Sequence, residues 1–474
     1  MWLTFAKKTP FIELAFPVAM SSSNEGARAA QAASARTGGG RRRAAARADD
    51  LAGWLAHADA LHAQTIDMGL ERVAAVRDAL ALALDFPLIT VAGTNGKGST
   101  CAMLAAMLQA AGHVVGVYSS PHLLRYNERV CIDGEPVGDA VLCAAFARVD
   151  AARAGVPLTP FEFGTLAALC VFAEAGLDAA VLEVGLGGRL DAVNAFDADC
   201  AIVTSIALDH VEYLGPTREH IAREKAGVFR AGRPAISADL DPPAALASEA
   251  ARVGARLLQS GRDYHVLCDG QTWTLQRAAG TLAGLPRPAL AGDFQLHNAA
   301  ACLMALDQLS ARLPVDAAQR RLGLQQARLA GRFQRLRSSP AAPEVVLDVA
   351  HNPHAAQQLA ALLDQHPVPG RCLAVFAMLR DKDIVGTARA LEGRVDAWFI
   401  AGIDERRGAS VDAMAAALES AAVRCRVHRS ATPVDALRLA LSEARTIDRV
   451  LVFGSFCTVG AVLRELQTGA TSAT

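Results

Sequence analysis

At 474 residues the chain is longer than one ordinary hydrophobic core organises, so two domains are the default expectation. Its 47 basic and 48 acidic residues leave a net charge of −1, which gives no electrostatic case for a nucleic-acid or anionic-membrane partner. No uncharged apolar run is long enough to span a membrane, and the ten cysteines include no C-x-x-C pair, which argues against disulfides or zinc and for a cytoplasmic protein.

Residues 1–47 stand apart: Ser21 to Arg47 is Ala/Gly/Ser/Arg-rich and reads as a disordered, low-complexity tail, with Met20 an alternative start. Order is expected from Asp49, with helices on the Leu51-Trp54-Leu55-Ala58 and Val73-Val76-Leu80 spacings. Leu88 to Ala92 then reads as a buried parallel strand that breaks into Gly93-Thr94-Asn95-Gly96-Lys97-Gly98-Ser99 and opens a helix. Strand, glycine loop and helix are the setting of a phosphate-binding loop. Backbone N–H groups turn onto the anion, the helix N-terminus adds partial positive charge, and Lys97 adds a full one. The strict loop pattern would place Gly at 91 and a hydroxyl at 98, where this chain has Val91 and Gly98.

Further strands are expected at Val114–Tyr118, Ala179–Glu183 and Ala201–Ile206, alternating with helices at Val141–Val149 and Phe163–Phe172. Such alternation makes a doubly wound, mostly parallel α/β sheet, with ligands at the carboxyl ends of its strands. The glycine loop, Ser119-Ser120, Glu183 and His210 all fall at such ends. Short antiparallel strands follow from Tyr264 to Leu275, then a helix from Leu296. A second, smaller Rossmann-like α/β alternation has strands near Val345–Val349, Cys372–Phe376, Val395–Ala401 and Val450–Phe453 and no glycine loop of its own. The expected domains are 48–326 and 327–474, with a cleft between them.

Eight blocks in order carry a specific resemblance: Gly93 to Ser99, Ser119-Ser-Pro-His122, Leu182 to Asp191, Leu208-Asp-His210, Arg223-Glu-Lys-Ala-Gly227, Gly331-Arg-Phe-Gln334, Leu347 to Pro353 and Phe453-Gly-Ser-Phe456. Together they resemble the bacterial bifunctional dihydrofolate synthase/folylpolyglutamate synthases, relatives of the Mur peptidoglycan ligases. The resemblance implies an ATP-dependent acid–amino acid ligase that adds L-glutamate to dihydropteroate and to reduced folates through an acyl phosphate. It implies ATP on Gly93, Thr94, Asn95, Gly96, Lys97, Gly98 and Ser99, with further nucleotide contacts from Asn298, Arg332 and Asp348. Ser120 and Glu183 match ligands of one Mg2+, His210 matches a ligand of a second, and Lys225 matches a lysine carbamylated by carbon dioxide. Lys97, His210 and Lys225 thus form the implied catalytic group. Thr159, Phe161 and Asp191 match blocks that hold the pterin-bearing substrate, and His351 and Ser455 match residues near glutamate. A monomer is the family expectation.

Structural alternatives stand beside these roles. Asp348 could cap the helix after Pro353, Phe161 could be plain core, and Lys225 could remain a cation paired with Glu224 or a phosphate. His122 has no assigned role, and Cys457 stands where related sequences often carry histidine. Two other functions fit the glycine loop. A Mur-type ligase for peptidoglycan precursors would need a dedicated N-terminal domain that residues 1–47 cannot form. A switch or motor ATPase would have no use for a second α/β domain bearing Asp348 and His351.

Overall fold

The computed structural model describes residues 50–471; the tail expected over residues 1–47 lies outside the described residues. Two mostly parallel sheets carry the fold. The first contains β1 (Leu88–Ala92), β2 (Val115–Tyr118), β3 (Val130–Ile132), β4 (Glu135–Pro136), β5 (Ala179–Glu183), β6 (Cys200–Val203), β7 (Pro234–Ser237) and β8 (Arg256–Gln259). Their spatial order is β4-β3-β2-β5-β1-β6-β7-β8, antiparallel only where β3 pairs with β2 and β4. Every residue of β1 and β5 is buried, because helices cover both faces of the sheet and leave no polar side to a central strand.

On one face Phe163, Leu166 and Leu169 of the helix Pro160–Glu174 pack with Phe146. On the other, Met103, Leu104 and Met107 of the helix Lys97–Ala110 meet Leu303 and Leu306 of the helix Phe294–Gln308. A three-stranded antiparallel sheet, β9 (Tyr264–Asp269), β10 (Thr272–Arg277) and β11 (Gly280–Pro286), adds Tyr264, Trp273 and Leu275 to that second core. It reaches one strand further than the sequence pattern suggests.

The second parallel sheet comprises β12 (Gln334–Leu336), β13 (Glu344–Asp348), β14 (Cys372–Phe376), β15 (Ala397–Ala401), β16 (Arg426–Ser430) and β17 (Arg449–Phe453). Its order is β12-β13-β17-β14-β15-β16, with only β12 antiparallel, and it has its own apolar core on each face.

One strand ends earlier than its apolar run suggests. β6 stops at Val203, and Thr204-Ser205-Ile206 leave the sheet to brace the glycine loop. Thr204 Oγ1 donates to Asn95 O at 2.7 Å, and Thr94 N donates to Ser205 O at 2.7 Å. The hydroxyls decide it: they hydrogen-bond the loop more usefully than they could line a buried strand.

Candidate active site

The chain leaves β1 through Gly93, whose φ is +149° and whose missing side chain matters. A Cβ there would lie 1.7 Å from Thr204 Oγ1. Gly96, at φ +90°, caps the helix Lys97–Ala110, and a Cβ on it would come within 2.9 Å of the Asn298 amide. The loop is thus pressed between the β6 end and the helix Phe294–Gln308. Lys97 Nζ folds back onto the loop, donating to Gly93 O at 3.2 Å and Thr94 O at 3.3 Å. Ser99 Oγ accepts from Gln295 Nε2 at 3.2 Å, and Asn298 Nδ2 donates to Gln295 Oε1 at 3.0 Å.

Glu183, the last residue of β5, is buried beside the loop, and its Oε2 accepts from Ser120 N at 3.2 Å. Burial raises its pKa, with Lys97 and the Ser120 N–H opposing. Among the described residues no three His, Cys, Asp or Glu side chains converge on one point. One buried carboxylate with a neighbouring serine is nonetheless a fitting protein share for a hard divalent ion that keeps waters and takes phosphate oxygens. His210 sits at φ +50° before a short helix. Burial and the nearby Lys382 ammonium push its imidazole down to about 4, so the ring is neutral, as a metal ligand must be. Its Nδ1 is buried without a partner. The residues fit a cation.

Lys225 lies on the helix Arg218–Ala226 and is 2% exposed. Burial, helped by Lys97, lowers its amine to about 7. The adjacent Glu224 is taken by Arg189 at 2.8 Å, so pairing with Glu224 does not explain the buried lysine.

The second sheet supplies the facing wall. Arg332 stacks its guanidinium 5.3 Å from the Phe456 ring centre, and its Nη2 lies 3.9 Å from where a Gly98 Cβ would be. Asp348 does not cap the following helix; Asn352 does, accepting from Ala355 N at 2.8 Å. Asp348 instead accepts from Phe333 N and Ala350 N, both at 2.8 Å. His351 Nδ1 donates to Val349 O at 2.9 Å, leaving Nε2 3.6 Å from Asp209 Oδ2. Glycine loop, Ser120, Glu183, His210, Lys225, Arg332, Asp348 and His351 line one cleft.

Five sequence-predicted residues stand behind that lining. Thr159 caps the helix Pro160–Glu174 in a reciprocal box with Glu162, whose Oε2 accepts from Thr159 N at 2.7 Å. Phe161 lies over Gly185, where a Cβ would sit 2.6 Å from its ring. Asp191 holds the turn beneath, accepting from Leu186 N at 2.8 Å and Val193 N at 3.0 Å; burial raises its carboxyl to about 6. Asn298 backs Gly96. Ser455 Oγ accepts from Thr458 N at 3.0 Å. The unassigned His122 accepts from Arg129 Nε at 2.9 Å, and the Cys457 thiol donates to Glu405 at 3.3 Å.

Sequence reading missed the residues that join the two halves. Asn95 and Asn352 exchange amide hydrogen bonds at 3.2 and 3.0 Å. Asn352 Nδ2 also donates to Asp209 Oδ2 at 3.1 Å, and Lys382 Nζ lies 2.6 Å from Asp209 Oδ1. Despite its burial, Asp209 is held well below the usual carboxylate range by His351 and the Lys382 ammonium. The only signal in the sequence was the place of Asp209 beside His210 and of Asn352 beside His351.

Two family models match this architecture: the Mur ligase middle domain over residues 91–306, and the Mur ligase glutamate ligase domain over 331–456. The dihydrofolate synthase/folylpolyglutamate synthase of Escherichia coli (strain K12) is 45% identical over 421 residues, covering 89% of this chain and 96% of that one. The Haemophilus influenzae enzyme of that description is 38% identical over 427 residues, covering 86% and 96%. Among solved structures, E. coli FolC with DHPP and ADP superposes with a TM-score of 0.84 at 44% identity, covering 89% and 99%. The Yersinia pestis bifunctional enzyme with AMPPNP and Mn ion gives 0.82 at 46%, covering 90% and 100%. A bifunctional enzyme with Mn, AMPPNP and L-glutamate bound gives 0.81 at 46%, covering 88% and 98%. At this identity over nearly the whole length of these relatives, the chain belongs to the dihydrofolate synthase/folylpolyglutamate synthase family of the Mur ligases.

Proposed function

We propose that the chain joins L-glutamate to dihydropteroate, and to reduced folates, using ATP to activate the acceptor carboxylate as an acyl phosphate. The observation that carries this is the cleft, where a phosphate loop and buried carboxylate from one sheet face Arg332, Asp348 and His351 from another. A carboxylate is a poor acylating agent, and phosphate makes it a good one. The protein's task is then to neutralise charge, align the reactants and keep water out, rather than to supply a covalent nucleophile.

Lys97, the loop N–H groups and Arg332 receive the triphosphate, with Asn298 and Asp348 shaping the nucleotide's place. Ser120 and Glu183 hold Mg2+, and His210 with Lys225 a second ion. When bound, these ions draw off charge from the phosphates. Thr159, Phe161 and Asp191 shape the pterin side through the wall at Gly185, while His351 and Ser455 set the glutamate side. Residues 48–326 form the ATP-binding domain and 327–474 the glutamate-ligase domain, in a cytoplasmic monomer. No helix among the described residues is long and apolar enough to cross a membrane.

Lys225 works as a carbamate. Its buried amine, lowered to about 7, is available as a nucleophile. The nitrogen attacks carbon dioxide and loses a proton, and the product is an anion with two oxygens, suited to a hard cation. Lys225→Ala is expected to be nearly inactive and partly rescued by acetate, and Lys225→Arg to be inactive. An active Lys225→Arg variant would overturn the carbamate.

The whole reading is tested with ATP, magnesium and labelled glutamate, with dihydropteroate and tetrahydrofolate in parallel. ADP release should require both the pterin acceptor and glutamate. Release driven by a macromolecular partner instead would point to a switch or motor.

A further inference from the structure

Lys382 has no part in the reading above, yet it stands where a cation belongs. It lies in the Asp381-Lys382-Asp383 turn between β14 and the helix Ile384–Arg389. Its side chain, 6% exposed, crosses to the first half of the chain, 2.6 Å from Asp209 Oδ1 and 3.0 Å from His210 Nε2. The flanking carboxylates do not compete for it. Asp381 pairs with Arg407, and Asp383 caps the helix by accepting from Gly386 N.

The protonation pattern follows from the partners. An ammonium has three donors and no acceptor, so while it holds His210 Nε2 the ring proton sits on Nδ1; a cation at the unpartnered Nδ1 needs that proton moved to Nε2, which could then no longer accept from Lys382. Asp209 is meanwhile engaged on its other oxygen by Asn352 Nδ2 at 3.1 Å. The lone pair that a metal ion would need is therefore already in use.

We propose that Lys382 is a positioning residue that stands in for a divalent cation at the Asp209–His210 corner until the ion is loaded. This rests on the reading of His210 as a cation ligand. One lone pair cannot serve both an N–H donor and a metal, so loading the ion means withdrawing Lys382. Because the second half carries Lys382, its withdrawal moves either the 381–383 turn or one half against the other. Until then the ammonium keeps the imidazole in place and compensates a buried carboxylate that would otherwise be short of a counter-charge.

The test is Mn2+ titration of the full chain without nucleotide, followed by electron paramagnetic resonance. Lys382→Met removes the charge, and Lys382→Gln removes it while keeping a donor, so loss of packing in one variant does not decide the result. Both should bind Mn2+ at least about tenfold more tightly than the parent, because a charge-assisted hydrogen bond no longer competes. The gain should vanish when His210→Ala is added. If both variants melt cooperatively and bind Mn2+ no better than the parent, while His210→Ala weakens Mn2+ binding in the presence of AMPPNP, the Lys382 proposal falls and the His210 reading stands. If His210→Ala changes Mn2+ binding under no condition, the His210 reading itself falls and takes this proposal with it.

Discussion

Replacing Lys225 by methionine should stabilise the protein while destroying its activity. The lysine is 2% exposed, and its amine is lowered from an ordinary 10.5 to about 7. At 1.36 kcal/mol per pH unit, that difference means on the order of 4–5 kcal/mol of stability withheld by burying the amine. The sign follows from linkage. Below pH 7 both folded and unfolded chains carry the proton, and the full penalty is present. Between about 7 and 10.5 the unfolded chain holds a proton that the folded one lacks, so folding grows more favourable by about 1.4 kcal/mol per pH unit. The assay is urea denaturation of parent and variant at pH 7, 8 and 9 in buffer freed of carbon dioxide, so that the amine is unmodified. The variant should be several kcal/mol more stable at pH 7, and its lead should shrink at each step. A lead that does not change with pH, or a parent more stable throughout, would refute the reasoning.

Lys97→Ala should lower turnover on the order of 10²–10³-fold with little change in the melting curve, since among the described residues Nζ hydrogen-bonds to loop carbonyls alone. Arg332→Ala should weaken ATP binding about ten- to a hundredfold by isothermal titration while thermal unfolding of the second sheet hardly moves. Gly93→Ala should destabilise the protein by about 1–3 kcal/mol in urea melts, because its Cβ would meet Thr204 Oγ1 at 1.7 Å; adding Thr204→Gly should recover part of the loss. Glu344→Gln should cost about 3 kcal/mol by the same measurement, leaving the buried Arg449, now 2.7 Å from Glu344 Oε2, without its counter-charge.

Central strands were legible because they are continuous apolar runs. β1, β5 and β14 begin and end where Leu88–Ala92, Ala179–Glu183 and Cys372–Phe376 suggest. Edge strands were not: β16 is Arg-Val-His-Arg-Ser with no buried residue, and its polarity reads as loop until a neighbour pairs with it. The candidate site was legible where local chemistry repeats a known device, as at Gly93 to Ser99. It was illegible where meaning depends on contact across the fold. Nothing near Lys382 announces a partner 173 residues away at Asp209. Asp348 shows a third case: position alone left nucleotide contact and helix capping open, and only the bond that Ala355 N donates to Asn352 Oδ1 removed the second.

The paired amides of Asn95 and Asn352 constrain how relatives of this chain can differ. Each side chain gives a donor and takes one back, across two segments 257 residues apart in sequence. An aspartate at either position would turn that match into two facing acceptors beside Asp209, a third. An aliphatic residue would leave its partner's amide unpaired. Neither position can therefore drift alone. In an alignment of related chains the two should be fixed together or exchanged together, and a chain with one asparagine replaced should carry a compensating donor at the other position.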